Sequence, residues 1–276
     1  MRLLRKLLAI PVLASLPTLL AQAQEATAFY MANEGVMVTD GDTKILFDPI
    51  YRNSYGQYLL LPEDMERALF AGEAPFDGVD AVFISHFHGD HFSAEDILAL
   101  MEAQPGIQLF APNQAVLGMR EVAANSDPAI FERVNAVSLQ YRDTPVSLET
   151  ENLRVDAVRI PHSGWPTGRL DVENIVWRVT LGDSTTVVHM GDADSNDEHF
   201  ARDASYWRRN TPDMAFPPYW FFSNREGQQI LDSRLGARRS IGIHVPMQIP
   251  ADPLQRPDYL RSADIFTQPG ETRRIR

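Results

Sequence analysis

Ile84-Ser85-His86-Phe87-His88-Gly89-Asp90-His91-Phe92 places three histidines and an aspartate within six residues. An H-x-H-x-D-H pattern arises by chance in roughly 3 or 4 of ten thousand chains of this composition and length, by independent-position arithmetic. Its context is informative too. Ala81 to Ser85 reads as a short buried strand, and Ser93-x-x-Asp96 reads as a capping box opening a helix that runs to Met101 or Ala103. The histidines therefore sit on a loop held at the end of a sheet. Imidazole nitrogen and carboxylate oxygen are ligands suited to zinc, iron or manganese. His86 and His88, two apart, lie on one side of an extended segment and can grip one ion. Asp90 and His91 come where the chain turns toward the helix and face a different point. The spacing predicts two adjacent metals rather than one.

Outward from this loop the chain alternates strands with helices. Val36 to Val38 and Lys44 to Phe47 flank Asp40-Gly41-Asp42 as a hairpin, and Asp48-Pro49 ends it. Pro62 suits the first turn of a helix reaching Ala71. Gly106 to Ala111 reads as a strand and 114–124 as a helix. Leu153 to Ile160 is a strand. Ile175, Trp177, Val179 and Leu181 alternate with less apolar positions, which predicts a half-buried strand. Thr185 to Met190 and Met214 to Phe216 are further strands. Residues 197–208 and Glu226 to Leu235 read as helices, the second ended by Gly236. Ile241 to Val245 is expected as the last strand. No repeat or linker divides the chain, and the mixture predicts a layered α/β domain.

The pattern resembles the metallo-β-lactamase superfamily over essentially the whole chain after residue 23. The resemblance implies a four-layer αββα sandwich with metals at one edge. It also implies the remaining ligands. A later strand end, Ile160-Pro161-His162-Ser163-Gly164, supplies His162. Val188-His189-Met190-Gly191-Asp192 supplies an aspartate after strand and glycine, and Ile241-Gly242-Ile243-His244 supplies a last histidine. By this resemblance His86, His88 and His162 hold one metal. Asp90, His91 and His244 hold the other, and Asp192 bridges in preference to Asp194. Asp48 reads either as a support for the metal loop or as a turn aspartate before proline. The hairpin before it resembles the branch that contains ascorbate-6-phosphate lactonase and related metal-dependent hydrolases. His189 is expected in the core or behind the ligands rather than among them, and His199 on a solvated helix.

The implied chemistry is hydrolysis of a small ester, lactone or phosphoester by a hydroxide shared between two divalent ions, zinc first, with iron or manganese accepting the same ligands. Asp90 is the expected catalytic residue, holding metal and handling a proton. β-Lactam hydrolysis and non-catalytic metal binding are the alternatives. The chain has no cysteine, so a cysteine-ligated β-lactamase site is excluded. No G-x-S-x-G elbow or Walker phosphate loop is present. Tyr51, Tyr55, Tyr58, Trp165, Tyr219 and Trp220 are candidates for a pocket wall or for packing, and Arg52 and Arg169 lie near the expected ligands in sequence.

The 276 residues carry a formal net charge of −12, against a nucleic-acid partner bound through a basic surface. Arg2, Arg5 and Lys6, the apolar stretch Leu7 to Leu20 and Ala21-Gln22-Ala23 read as a signal peptide over residues 1–23. That stretch is shorter than the roughly 20 apolar residues needed to span a bilayer. Cleavage would leave a hydrolase domain over 24–276 with net charge −15, periplasmic or secreted and without stable membrane insertion. Its expected partner is a small-molecule substrate.

Overall fold

A computed structural model describes residues 25–182, 184–209 and 211–275. The expected signal peptide lies outside the described residues. In chain order, β1 (Thr27–Ala32), β2 (Gly35–Asp40) and β3 (Thr43–Phe47) precede α1 (Glu63–Ala71), β4 (Ala81–Phe83), α2 (Ala94–Ala103), β5 (Gln108–Pro112), α3 (Asn113–Val122) and β6 (Val134–Val137). The second half contains β7 (Val146–Glu149), β8 (Leu153–Arg159), β9 (Ile175–Leu181), β10 (Thr185–His189), α4 (Asp197–Ala201), α5 (Ala204–Trp207), β11 (Met214–Phe216), α6 (Arg225–Gln229) and β12 (Arg239–Ser240). β13 (Thr272–Arg274) closes the order. One sheet runs β13-β1-β2-β3-β4-β5-β6 and the other β12-β11-β10-β9-β8-β7.

Alternation along the strands builds the layers. Ile45 and Phe47 of β3 enter the core between the sheets, with Trp177, Val179 and Phe216 opposite. Leu46 points the other way, into a core shared with Leu69 of α1, Leu100 of α2 and Met119 of α3. Val176 and Val188 pack outward against Phe200, Trp207 and Ile230. Each sheet face is thus covered, giving the four-layer αββα sandwich that the resemblance implied. Among the described residues, no helix is long and apolar enough to cross a membrane.

Several local expectations change. β9 is buried along its entire length rather than half-buried. Its less apolar positions lie under the outer helices, where the Arg178 guanidinium sits 5.5 Å from the Tyr206 ring centroid. The 197–208 segment forms two short helices. The 226–235 helix opens as α6 and continues as a π-helical turn that Gly236 ends in the left-handed region. Ile241 to Val245 forms no continuous strand. It is held by single bridges, Ile243 to Pro218 and Gly242 to Ile265, and the last strand is β13. That strand and β7 lie at sheet edges, and most of their residues are exposed. Edge strands gain their stability from backbone pairing and leave no apolar signature.

At one end of the sandwich the two sheets are tied together. Trp177 Nε1 donates to Ile84 O at 2.8 Å, and Ile175 N donates to Ser85 O at 2.9 Å. The loops leaving β3, β4, β8 and β10 all emerge at that end.

Candidate metal centre

His86 and His88 leave β4, His162 follows β8, and Asp192 follows β10. One potential ligand atom from each lies within 4.8 Å of the others. Asp90, His91 and His244 form a second group within the same limit. All seven predicted side chains therefore converge, and Asp192 lies between the groups. Its Oδ2 is 3.0 Å from His162 Nε2, while Oδ1 is 3.1 Å from His244 Nε2 and 3.4 Å from His91 Nε2. Asp90 Oδ2 is 3.4 Å from His244 Nε2.

The rear nitrogens of His162, His91 and His86 are committed elsewhere, whereas His244 Nδ1 makes no hydrogen bond. His162 Nδ1 donates to Ser163 O at 2.9 Å. His91 Nδ1 donates to Asp48 Oδ2 at 3.0 Å, and His86 Nδ1 is 3.0 Å from Ser85 Oγ. Asp48 also accepts from Ser85 N at 2.7 Å and Ser85 Oγ at 2.5 Å. It thus supports the loop rather than serving only as a turn residue. Such contacts fix the imidazole tautomer and aim the other nitrogen at a common point.

His91 Nε2, His162 Nε2, His244 Nε2 and Asp192 Oδ1 are buried and make no hydrogen bond. Buried polar atoms without partners are uncommon and costly. Their convergence on one space fits divalent cations, and the absence of sulfur ligands is compatible with several metals. Burial, reinforced by neighbouring imidazoles, drives His86 well below the ordinary histidine range and His88 down to about 4. Both are neutral, the form that binds metal. Burial also disfavours charge on His91 and His244, but the Asp192 carboxylate outweighs it, holding His91 high and raising His244 to about 10. Despite burial, nearby His244 and His91 keep Asp90 and Asp192 below the usual carboxylate range.

Gly191 lets the chain turn into Asp192. It has φ +52°, and an added Cβ would lie 2.5 Å from Asn174 Oδ1 and 2.6 Å from Ser85 Cβ. Asn174 Oδ1 accepts from Asp192 N at 3.0 Å. Asp194 turns away, accepting from Gly164 N at 3.2 Å. His189 is a core residue, as expected. His199 corrects its expectation: it is fully buried, with Nδ1 2.8 Å from Tyr141 Oη. Asn174, Ser85 and the fully buried Glu34 were not foreseen.

A cavity of about 330 Å³ opens over the cluster, lined by Tyr55, Gln57, Tyr58 and Arg169 together with His88, Asp90, His162, Asp192 and His244. Tyr58 meets the His244 ring edge-on at 4.0 Å. Tyr51 is buried and donates to Leu59 O. Trp165 packs on Tyr141, Tyr219 packs on Trp220, and Trp220 donates to Ala193 O. Arg52 is engaged by Glu66 and Asp96.

The two-sheet sandwich thus carries at its strand ends a buried His/Asp cluster of the kind that holds divalent metal ions. The model of the beta-lactamase superfamily domain matches residues 43–244, a span that includes every predicted ligand, and the chain belongs to the metallo-β-lactamase superfamily. The UPF0173 protein YddR of Bacillus subtilis (strain 168) is 29% identical over 119 residues, 38% of this chain and 45% of that protein. The chain thus spans less than half the length of this curated relative. Among solved structures, Igni18, a metallo hydrolase from the archaeon Ignicoccus hospitalis, aligns with TM-score 0.58 and 18% identity over 91% of this chain and 98% of that one. An isothiocyanate hydrolase from Delia radicum gut bacteria aligns with TM-score 0.56 and 14% identity over 90% and 98% of the two chains. At these identities the structural likeness is one of fold.

Proposed function

We propose that the protein is an exported dinuclear hydrolase acting on a small ester, lactone or phosphoester. The observation that carries the two-ion reading is the Asp192 carboxylate, which turns one oxygen to His162 and the other to His91 and His244. His86, His88 and His162 would hold one ion, Asp90, His91 and His244 the other, with Asp192 between them. Divalent cations bound there supply Lewis acidity and bring the pKa of water from 15.7 to roughly 7. Zinc fits these ligands best, with iron and manganese as the other choices.

The remaining chemistry belongs to the chain. Asp90 stays ionised and lines the cavity, so it can accept a proton and orient the attacking water. Burial, with Asp192 and Asp90 nearby, raises the Tyr58 phenol, which keeps its proton and can donate to a substrate oxygen. Arg169 gives one N–H to Ser163 O at 3.1 Å and has further donors for an anionic substrate group. A small, polar, partly enclosed cavity suits a small substrate.

The test is a hydrolysis screen of lactones, aryl esters, phosphodiesters and β-lactams with zinc-loaded protein. Turnover of one of the first three, abolished by chelator and restored by metal, is expected. Turnover of β-lactams alone overturns the substrate class, and no metal-dependent turnover overturns hydrolysis.

A further inference from the structure

Glu34 lies in the turn between β1 and β2, outside the 43–244 span that carries the family match. It is fully buried, and neither carboxylate oxygen accepts a hydrogen bond. His189 Nε2 approaches Oε2 at 3.2 Å, but that nitrogen also bonds to the Glu34 backbone carbonyl at 3.0 Å. A buried carboxylate with one shared contact is poorly compensated.

The side chain backs onto the second ligand group. One Glu34 oxygen lies within 4.8 Å of potential ligand atoms of Asp192 and His244, and Glu34, Asp48 and His91 satisfy the same limit. The turn is also tied to that group by its neighbour. Asn33 Nδ2 donates to Asp90 O at 3.0 Å, and Asn33 O accepts from His244 N at 3.0 Å. Asn33 and His244 hold left-handed backbones, with φ +43° and +55°, so the surrounding fold imposes both conformations.

We propose that Glu34 is an additional carboxylate donor to the second metal, reaching it from the side of Asp192 and His244. It adds negative charge where Asp192 is shared with the first ion, and it makes the second position richer in oxygen. The inference rests on the two-ion reading.

Zinc titration of metal-free wild type, Glu34→Gln and His189→Gln, in competition with a chromophoric chelator, tests it. Wild type is expected to take two ions. Glu34→Gln should keep the first and bind the second at least about 10-fold more weakly. His189→Gln should keep the second affinity within about threefold, because the proposed ligand remains. Metal-free Glu34→Gln should melt no lower than metal-free wild type, since a poorly compensated buried charge is gone, and zinc should raise its Tm less. Two ions bound by Glu34→Gln with wild-type affinity overturn this inference alone. Equal weakening in both variants assigns Glu34 to pairing with His189 and also overturns it. One ion in wild type overturns the two-ion reading and this inference with it. If Glu34→Gln does not fold, Glu34→Asp, which withdraws the carboxylate by one methylene, should likewise keep the first ion and weaken the second, and wild-type affinity for both ions in it overturns the inference.

Discussion

Asp192 concentrates the chemistry in one side chain because its two oxygens face different histidine groups. Asp192→Asn preserves size and removes the charge that would hold two cations close. On the substrate found by the screen, kcat is expected to fall at least about 100-fold, a few kcal/mol of barrier. Asp194→Asn, measured in parallel, should be much milder, since Asp194 bonds to the Gly164 backbone. Near-wild-type turnover by folded Asp192→Asn contradicts its bridging role.

The histidines also predict an order of metal loss. In the metal-free protein, His91 is held well above its ordinary range and His244 reaches about 10. Those shifts favour imidazolium in both, and a proton must leave before an ion binds, so acid weakens the second position. His86 lies well below its ordinary range and His88 near 4, so the first position keeps neutral ligands further into acid. Elemental analysis after dialysis at about pH 8 and pH 6 should show loss of the second ion first. For stability without metal, the contribution of His244 is complete below its unfolded value of 6.5 and disappears as pH rises through about 10.

At the scale of elements, strand ends deliver the proposed ligands, and the loops are stitched to one another. Ser163 N donates to Asp192 O at 2.7 Å, and Asp194 N donates to Pro161 O at 2.8 Å. Gly191→Ala would drive a methyl group into Asn174 and Ser85 while imposing a left-handed backbone. A destabilisation of about 2 kcal/mol or more is expected in denaturant unfolding of the metal-free protein. An unchanged midpoint contradicts tight packing of Gly191 against Asn174 and Ser85. The proposed metal loop was legible in the sequence because four candidate ligands fall within six residues between a strand and a capped helix. Asn174 was not legible, because its role depends on meeting Asp192 18 residues later. His199 looked solvated among acidic neighbours, but Tyr141, 58 residues earlier, covers it. Glu34 carries no signal in the sequence, and only the packing of the two sheets reveals its burial.

For the whole molecule, two apolar outer layers and one inter-sheet core hold the strand ends while leaving the site open at one edge. The apolar runs revealed β2 to β5 and β8 to β11, but not β1, which lies inside its sheet, nor the edge strands, whose pairing depends on distant backbone, as between Phe29 and Thr272. Export is a proposal of the amino-terminal sequence. Intact mass of protein from its native compartment should correspond to a chain beginning at Gln24, and a retained Met1 end contradicts it. The central claim is that seven His and Asp side chains serve two ions. Metal stoichiometry by elemental analysis of gently purified wild type, His91→Ala and His244→Ala tests it most directly. About two ions per chain in wild type, falling toward one in either variant, are expected, because seven ligands exceed the four of one tetrahedral zinc. A single ion in wild type that both substitutions leave in place contradicts the dinuclear site.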